Sequence, residues 1–461
     1  MGSFGSKSTT DVSTARPTRQ LRLLDCICVV VGIVIGAGIF ETTPRVVAAV
    51  GDLRWLIFVW LIGGVVALLG ALCYAELTTT FPTSGGDYVF LTRAYGRPCG
   101  MLFAWCEFWI IRPGNIGLLA YVFARYAQQV FPLPLGAHAK SAYAIGAVLS
   151  LSALNGLGAR PGVRTQNALT VIKIIGLVLV IVAALIVAAS SQAAPSTTTS
   201  LATSTPSGSG IYIAMIMVLL TYGGWSEMSY VAAEIRDPEK NILKALLYGT
   251  SAVVIIYLMF NLSCWWALGP ERLAESPAVA AEIVSEIMGD AGGLFVSVLV
   301  ALSCLGAMNG MLFTGSRIYF AMGSEHRAFS WIGAWSSRRD APVRSLVLQM
   351  IVTIGLIATF GSDDSSFERL VVFTTPVFWF FACLIAVSVM LLRRRGDIDN
   401  PRVFRVWFYP LPPLVLAATS LLMLYASLAW AWQNAAWEFL WTVAVVLAGL
   451  GIVCWERKQA I

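Results

Sequence analysis

The sequence predicts an all-α polytopic membrane protein with 12 transmembrane helices. Three observations carry that reading. Of the 461 residues, 58% are hydrophobic and only 12% charged, against roughly 25% charged in an average soluble domain. A soluble fold of this length cannot hide so much apolar surface. The apolar residues fall in runs long enough to cross a bilayer, which takes roughly 20 residues per helix. Lysine and arginine gather on alternate connections between those runs.

A mostly polar tail, 1–20, comes first. Spans are then expected at about 22–47, 53–76, 97–130, 141–157, 163–190, 210–235, 243–268, 291–322, 343–361, 369–392, 407–432 and 435–455. The first carries "GIVIGAGIF" and the sixth "TYGGWS", both interrupted by glycine. The third contains Arg112-Pro113 and the fifth Lys173. The uncharged Ser/Thr/Pro-rich stretch at 191–209 reads as a flexible outer loop. The acidic segment 271–290 reads as an outer loop holding a short helix. No cleavable leader is expected, because the first apolar stretch is too long and no small-residue cleavage site follows it.

With the N-terminus placed inside, one side of the bilayer collects 23 of the 31 Lys and Arg and the other collects 6. Arg112 and Lys173 remain within the bilayer. This bias predicts an even number of spans and both termini (1–20 and 456–461) in the cytoplasm of a multi-pass plasma or inner-membrane protein. The net charge of +6 therefore reports on topology and gives no reason to expect nucleic acid. The nine cysteines form no C-x-x-C pair and read as reduced residues facing lipid or core. His138 and His326 read as solvated loop residues. There is no nucleophile–base constellation, nucleotide motif, cofactor motif or metal cluster, so an enzyme is the weakest reading.

Glycine weakens a helix more than any residue but proline, so its clustering in two spans needs a reason. Gly32-x-x-x-Gly36 is a close-packing pattern of membrane helices. The alternative is a deliberate break, and the recurrence five helices later favours it. Glycine-interrupted spans at corresponding places in two halves mark the substrate site of inverted-repeat transporters. At such a break, free N–H groups with a helix dipole behind them suit a carboxylate. Free carbonyls opposite suit an ammonium, and an α-amino acid carries both groups.

Five ordered blocks add a resemblance. "VVGIVIGAGIFETTP", "ALCYAELTTTFPTSGGDYVFLTRAYG", "FWIIRPGN", "TYGGWSEMSYVAAEIRDPEKNI" and "LSCLGAMNGMLFTGSRIYFAM" resemble the amino acid–polyamine–organocation superfamily, and within it the L-type amino acid transporters. The resemblance implies a 5+5 inverted repeat with broken first and sixth helices, formed by 22–190 and 210–395, plus two C-terminal helices over 396–455. It also implies amino-acid exchange or uptake by alternating access. The backbone at Gly36, Ala37 and Gly38 would hold the substrate carboxylate. Carbonyls near Val34, Ile35, Leu220 and Tyr222 would take the ammonium. Gly223 and Gly224 would open the second break, with Trp225 and Ser226 at its pocket. Asn115, Asn309 and Trp379 would line the site. Leu220 stands where the family often has an aromatic gate, so gating would pass to Tyr222 or Trp225, or the pocket would be more open. The loop 131–141 lacks the cysteine through which animal L-type members bond to a single-span partner, so no disulfide-linked heavy chain is expected.

Ionisable residues inside a membrane are functional by default. By resemblance, Lys173 would replace a bound sodium ion and tether the fifth helix to the first and eighth. It is also a candidate proton carrier, and the bland alternative is snorkelling. Arg112 would pair with carbonyls freed by Pro113 or with a carboxylate. Glu227 would favour a cationic substrate or exchange a proton; the bland reading is a carboxylate bonded to free backbone N–H groups. Glu76, Asp87, Glu234 and Asp237 would form a salt-bridged inner gate or simply cap helices. Neutral L-amino acids moved without sodium, by exchange or proton symport, lead. A sodium-driven or a cationic amino-acid or polyamine transporter is the alternative, and a non-transporting membrane sensor the distant one.

Overall fold

In hydrocarbon every backbone polar group must be satisfied within the protein, so apolar runs of this length fold as helices. The computed structural model describes residues 17–190, 208–360, 366–398, 403–434 and 436–459. Most of the expected 1–20 tail, the 191–209 loop except for its last residues, and the last two residues lie outside them.

The first expected span is two helices, α1 (Leu23–Val34) and α2 (Gly38–Val50), bent by 47°. α3 (Leu53–Thr80) follows, then the short α4 (Asp87–Tyr95). The third span is α5 (Arg97–Cys106), a π turn (Glu107–Ile111) and α6 (Arg112–Val130). α7 (Ala139–Gly156) and α8 (Ala159–Ser190) complete the first half. The second half opens with α9 (Gly208–Thr221) and a 3₁₀ segment (Trp225–Glu234). α10 (Pro238–Glu275), α11 (Val279–Met288), α12 (Asp290–Glu325), α13 (Val343–Phe360) and α14 (Ser366–Arg395) follow, with α11 as the short helix of the acidic segment. α15 (Leu411–Asn434) and α16 (Ala436–Gln459) end the chain.

Nine of the described helices are long and apolar enough to cross a membrane, or ten with α1–α2 taken as one bent span. The expectation was twelve. The third span falls short because Glu107, Arg112 and Arg125 interrupt it. The fourth, α7, is diluted by Lys140, Asn155 and three serines.

The interrupted helices lie inside the bundle. α1 packs against α8, α10, α12 and the 225–234 segment, while α2 packs against α9 and α10. Two glycines show why α1 sits so close to its neighbours. A Cβ on Gly32 would lie 2.2 Å from Thr170 Oγ1, and one on Gly249 2.9 Å from Val30. Close packing is thus a real use of Gly32, alongside the break further on. The chain before α1 is tied to the end of the 225–234 segment by a parallel bridge between Leu21 and Ile235. Leu21 N–H donates to Glu234 O and Arg236 N–H to Leu21 O, both at 2.9 Å.

His326 is 6% exposed and lies 3.1 Å from the Tyr88 hydroxyl. The expectation of a solvated loop residue fails because the end of α12 folds under α4.

Candidate functional site

The two interruptions expose the same kind of backbone. After Val34 the helix stops, and α2 restarts at Gly38. Among the described residues, the N–H groups of Ala37, Gly38 and Ile39 have no backbone acceptor. In the sixth span Gly224 takes φ +110°, a conformation that favours glycine. There the N–H groups of Gly224, Trp225 and Ser226 likewise lack backbone acceptors. Each break therefore presents three N–H donors at the head of the following segment. Gly36 differs from the expectation, because its N–H already donates to Val34 O at 2.9 Å.

The carbonyls are more heavily used than the sequence implied. Val34 O also accepts from the Tyr257 hydroxyl at 2.9 Å. Ile35 O accepts from Lys173 Nζ at 2.7 Å and Ser303 Oγ at 3.0 Å. With two donors each, these oxygens are saturated, so neither is open to an ammonium as expected. Leu220 O accepts from Gly223 N–H at 3.2 Å. Among the described residues, Ile33 O and Tyr222 O have no donor outside regular helix bonding.

Lys173 is 1% exposed and does not snorkel. Its Nζ donates to Gly32 O and Ile35 O at 2.7 Å and to Ser303 O at 3.0 Å. In an unbroken helix Gly32 O would accept from Gly36 N–H. The ammonium supplies that missing bond and joins α8 to α1 and α12. Gly306 leaves it room, since a Cβ there would sit 3.0 Å from Nζ.

Below the second break lies an ion network. Pro113 has no N–H and so cannot continue a regular helix through the third span. The chain widens into the π turn, with Arg112 N–H bonding to Glu107 O. Five residues make about one turn of such a helix, so the side chains of Glu107 and Arg112 meet at 2.6 Å. Arg112 also reaches Glu227 at 2.7 Å, and Thr314 donates to the same carboxylate oxygen at 2.6 Å. Both expectations are sharpened: Arg112 pairs with carboxylates rather than freed carbonyls, and Glu227 bonds side chains rather than backbone N–H groups. Asp87, 5% exposed, accepts from the Tyr230 hydroxyl at 2.7 Å.

The other expected residues divide. Trp225 packs edge-on against Tyr74, with ring centroids 5.0 Å apart, over Gly70, where a Cβ would lie 2.6 Å from its ring. Ser226 and Asn115 are half-buried, and Leu220 is 43% exposed. Tyr222 is no gate here. Its ring is buried against Trp60 and Tyr257 and its hydroxyl donates to Trp60 O at 3.1 Å. Asn309 does not line the breaks. It is fully buried and bonds Asn155, Gln166 and Gly162 O, which engage its whole amide in joining α7, α8 and α12. Trp379 packs with Leu219 and Met423, behind α9. Tyr257 and Glu107 were missed by the sequence reading. Tyr257 sits in an ordinary apolar run, but Glu107 was visible as a carboxylate within a span.

At the end of the bundle where α3 finishes, Glu76 holds Arg393 at 2.5 and 2.6 Å and accepts from Val406 N–H at 2.6 Å. Glu234 holds Arg317 at 2.8 and 3.2 Å. Asp237 immediately precedes α10 with φ +45°; it is a turn residue and not part of those pairs. On the other side, Arg125 of α6 pairs with Glu41 of α2.

The model of a family described as "Amino acid permease" matches residues 21–450. The chain belongs to this amino acid permease family. The permease is 28% identical over 448 residues to the mouse b(0,+)-type amino acid transporter 1, covering 96% of this chain and 89% of that one. Its human counterpart is 28% identical over 437 residues, covering 94% and 86%. The rat large neutral amino acids transporter small subunit 2 is 28% identical over 390 residues, covering 83% and 72%. The permease is thus a multi-pass membrane protein of the amino acid–polyamine–organocation superfamily, a secondary-active amino-acid transporter and not an enzyme.

Proposed function

We propose that the permease moves L-amino acids by sodium-independent alternating access, with the substrate held between the two interruptions. The observation that carries this reading is the Lys173 ammonium on three carbonyls of α1 and α12. A fixed cation there does the work of a bound metal ion, so the break at 35–37 needs no sodium to hold its shape. The N–H groups of Ala37, Gly38 and Ile39 would receive the carboxylate, and the carbonyls of Ile33 and Tyr222 the ammonium. Leu220, Trp225, Ser226 and Asn115 would surround the side chain. Twelve spans in two inverted repeats of five plus a terminal pair, with both termini cytoplasmic, complete the reading. The Lys and Arg asymmetry supports that orientation.

Cationic amino acids are proposed as substrates alongside neutral ones. Two buried carboxylates, Glu107 and Glu227, share the single Arg112 guanidinium beside the second break, leaving a negative potential under the pocket. That observation weighs more than the uncharged residues nearest the breaks, which alone pointed to neutral substrates. The test is counterflow in proteoliposomes with labelled neutral and cationic amino acids, with and without sodium. Exchange without sodium is the expected result. Failure of every amino acid to exchange would overturn the reading, and strict sodium dependence would overturn the role of Lys173.

A further inference from the structure

We propose that Asp87 is a proton-binding residue whose occupancy is linked to the position of the 225–234 segment. The proposal rests on the transport reading for its consequence, but proton binding itself stands apart from it.

The geometry begins with charge. Glu107 and Glu227 both take Arg112 as their cation, at 2.6 and 2.7 Å. Asp87 has no cationic partner among the described residues. Oδ2 accepts from Tyr230, while Oδ1 is buried with no hydrogen-bond partner. It lines a cavity of about 10 Å³ together with Tyr74, Glu107 and Tyr230, closed by Phe378 and Phe381. The space suits about one water molecule. A buried carboxylate with neither cation nor full hydrogen bonding takes a proton instead of staying charged. With one proton on Asp87, the network's net negative charge is reduced by one.

Several elements around Asp87 contribute to that balance, while α5 offers the cavity only Phe103. α3 supplies the Tyr74 hydroxyl, the π turn Glu107, α6 Arg112, the 225–234 segment Glu227 and Tyr230, and α12 Tyr319. α14 offers only apolar side chains to the cavity. Asp87 lies on the short α4 between two spans, as its first residue, where the helix dipole favours the ionised form. Burial nonetheless pushes its carboxyl up to about 7; the Tyr230 and Tyr74 hydroxyls beside it lower it, and Glu107 and Glu227 add to the rise. The group is therefore poised near neutrality.

Coupling follows from what touches it. Tyr230 belongs to the segment that follows the second break, and Tyr74 packs on Trp225 at the break itself. A tilt of that segment would remove the Tyr230 hydrogen bond that favours the ionised carboxylate and draw a proton on. Substrate movement and proton binding thus act on the same side chains.

Infrared titration of the purified permease should show protonated-carboxyl absorption that disappears with a midpoint near pH 7, weaker by one carboxyl in Asp87→Asn. Tyr230→Phe should move the midpoint upward by about one pH unit. In proteoliposomes the wild-type exchange rate should vary with the same midpoint, and Asp87→Asn exchange should not vary with pH. A wild-type protein without that absorption, or an Asp87→Asn protein whose absorption is as strong as wild type or whose exchange keeps the pH dependence, would overturn the proposal. If Asp87→Asn does not fold, the wild-type titration and its shift in Tyr230→Phe decide alone. If no amino acid is exchanged at any pH while that absorption titrates, the transport reading fails and the proton site stands.

Discussion

The Tyr257 hydroxyl lies 2.9 Å from the carbonyl of Val34 and 3.4 Å from that of Thr221. Those carbonyls end α1 and α9, so one side chain on α10 spans the last carbonyls of both interrupted helices. Its single proton serves one carbonyl at a time, and the shorter bond goes to Val34. Tyr257→Phe keeps the ring packing against Trp60 and removes only that bond, while Val34 O retains Gly36 N–H. A loss of about 1 kcal/mol follows, or roughly fivefold in substrate affinity. Binding measured by scintillation proximity on purified protein checks it.

Lys173→Ala should be far more severe. It removes three charge-assisted bonds and leaves Gly32 O without a donor in a dry interior. Exchange should fall by about a hundredfold or more, from a cost on the order of 3 kcal/mol. Lys173→Arg should not rescue it, because a planar fork cannot converge on three carbonyls around one point. Counterflow with both variants, alongside thermal melting, separates lost function from lost fold.

Two glycines of the first span should respond differently. Gly32→Leu drives a side chain into Thr170 and Gln166, 2.2 and 2.3 Å from its Cβ position, so yield and melting temperature should collapse. Gly38→Leu meets only Thr221, at 3.3 Å. It should insert and fold but bind no amino acid, because the side chain covers the open N–H groups. Size-exclusion profiles and ligand binding on the same preparations give the comparison.

The ion pairs on the two sides should differ in worth. Glu234 and Arg317 are at most 2% exposed. Removing one partner strands the other charge and should cost about 3–5 kcal/mol. Glu234→Ala is the test, and the double variant with Arg317→Met should recover part of the loss. Arg125 is 48% exposed at its pair with Glu41, where water screens the interaction. Arg125→Gln should change stability by less than about 1 kcal/mol.

The membrane character and both interruptions were legible in the sequence because each has a local signal: run length for the spans, clustered glycine for the breaks. Lys173 was legible because an isolated lysine in an apolar run is conspicuous. What escaped was set by geometry between distant segments. Tyr257 looks like any aromatic residue in a span until α10 carries it to Val34. Asn309 looked like a pocket residue, yet α7 and α8 claim its amide. The carbonyls of Val34 and Ile35, expected to receive an ammonium, are taken instead by donors from α8, α10 and α12. The third and fourth spans fell below the apolar standard because charged and small polar residues in them are satisfied by neighbours, which hydropathy cannot register.

The bridge between Leu21 and Ile235 has a mechanical meaning. Its bonds are backbone to backbone, so they hold whatever side chains occupy those positions. They join the chain just before α1 to the chain just after the 225–234 segment. When the bundle opens at that end, those two points should therefore travel as one lever, with the flexing confined to 35–37 and 222–224. A covalent clip between positions 21 and 235 would leave the machine running, while a clip from either end to a neighbouring helix would jam it.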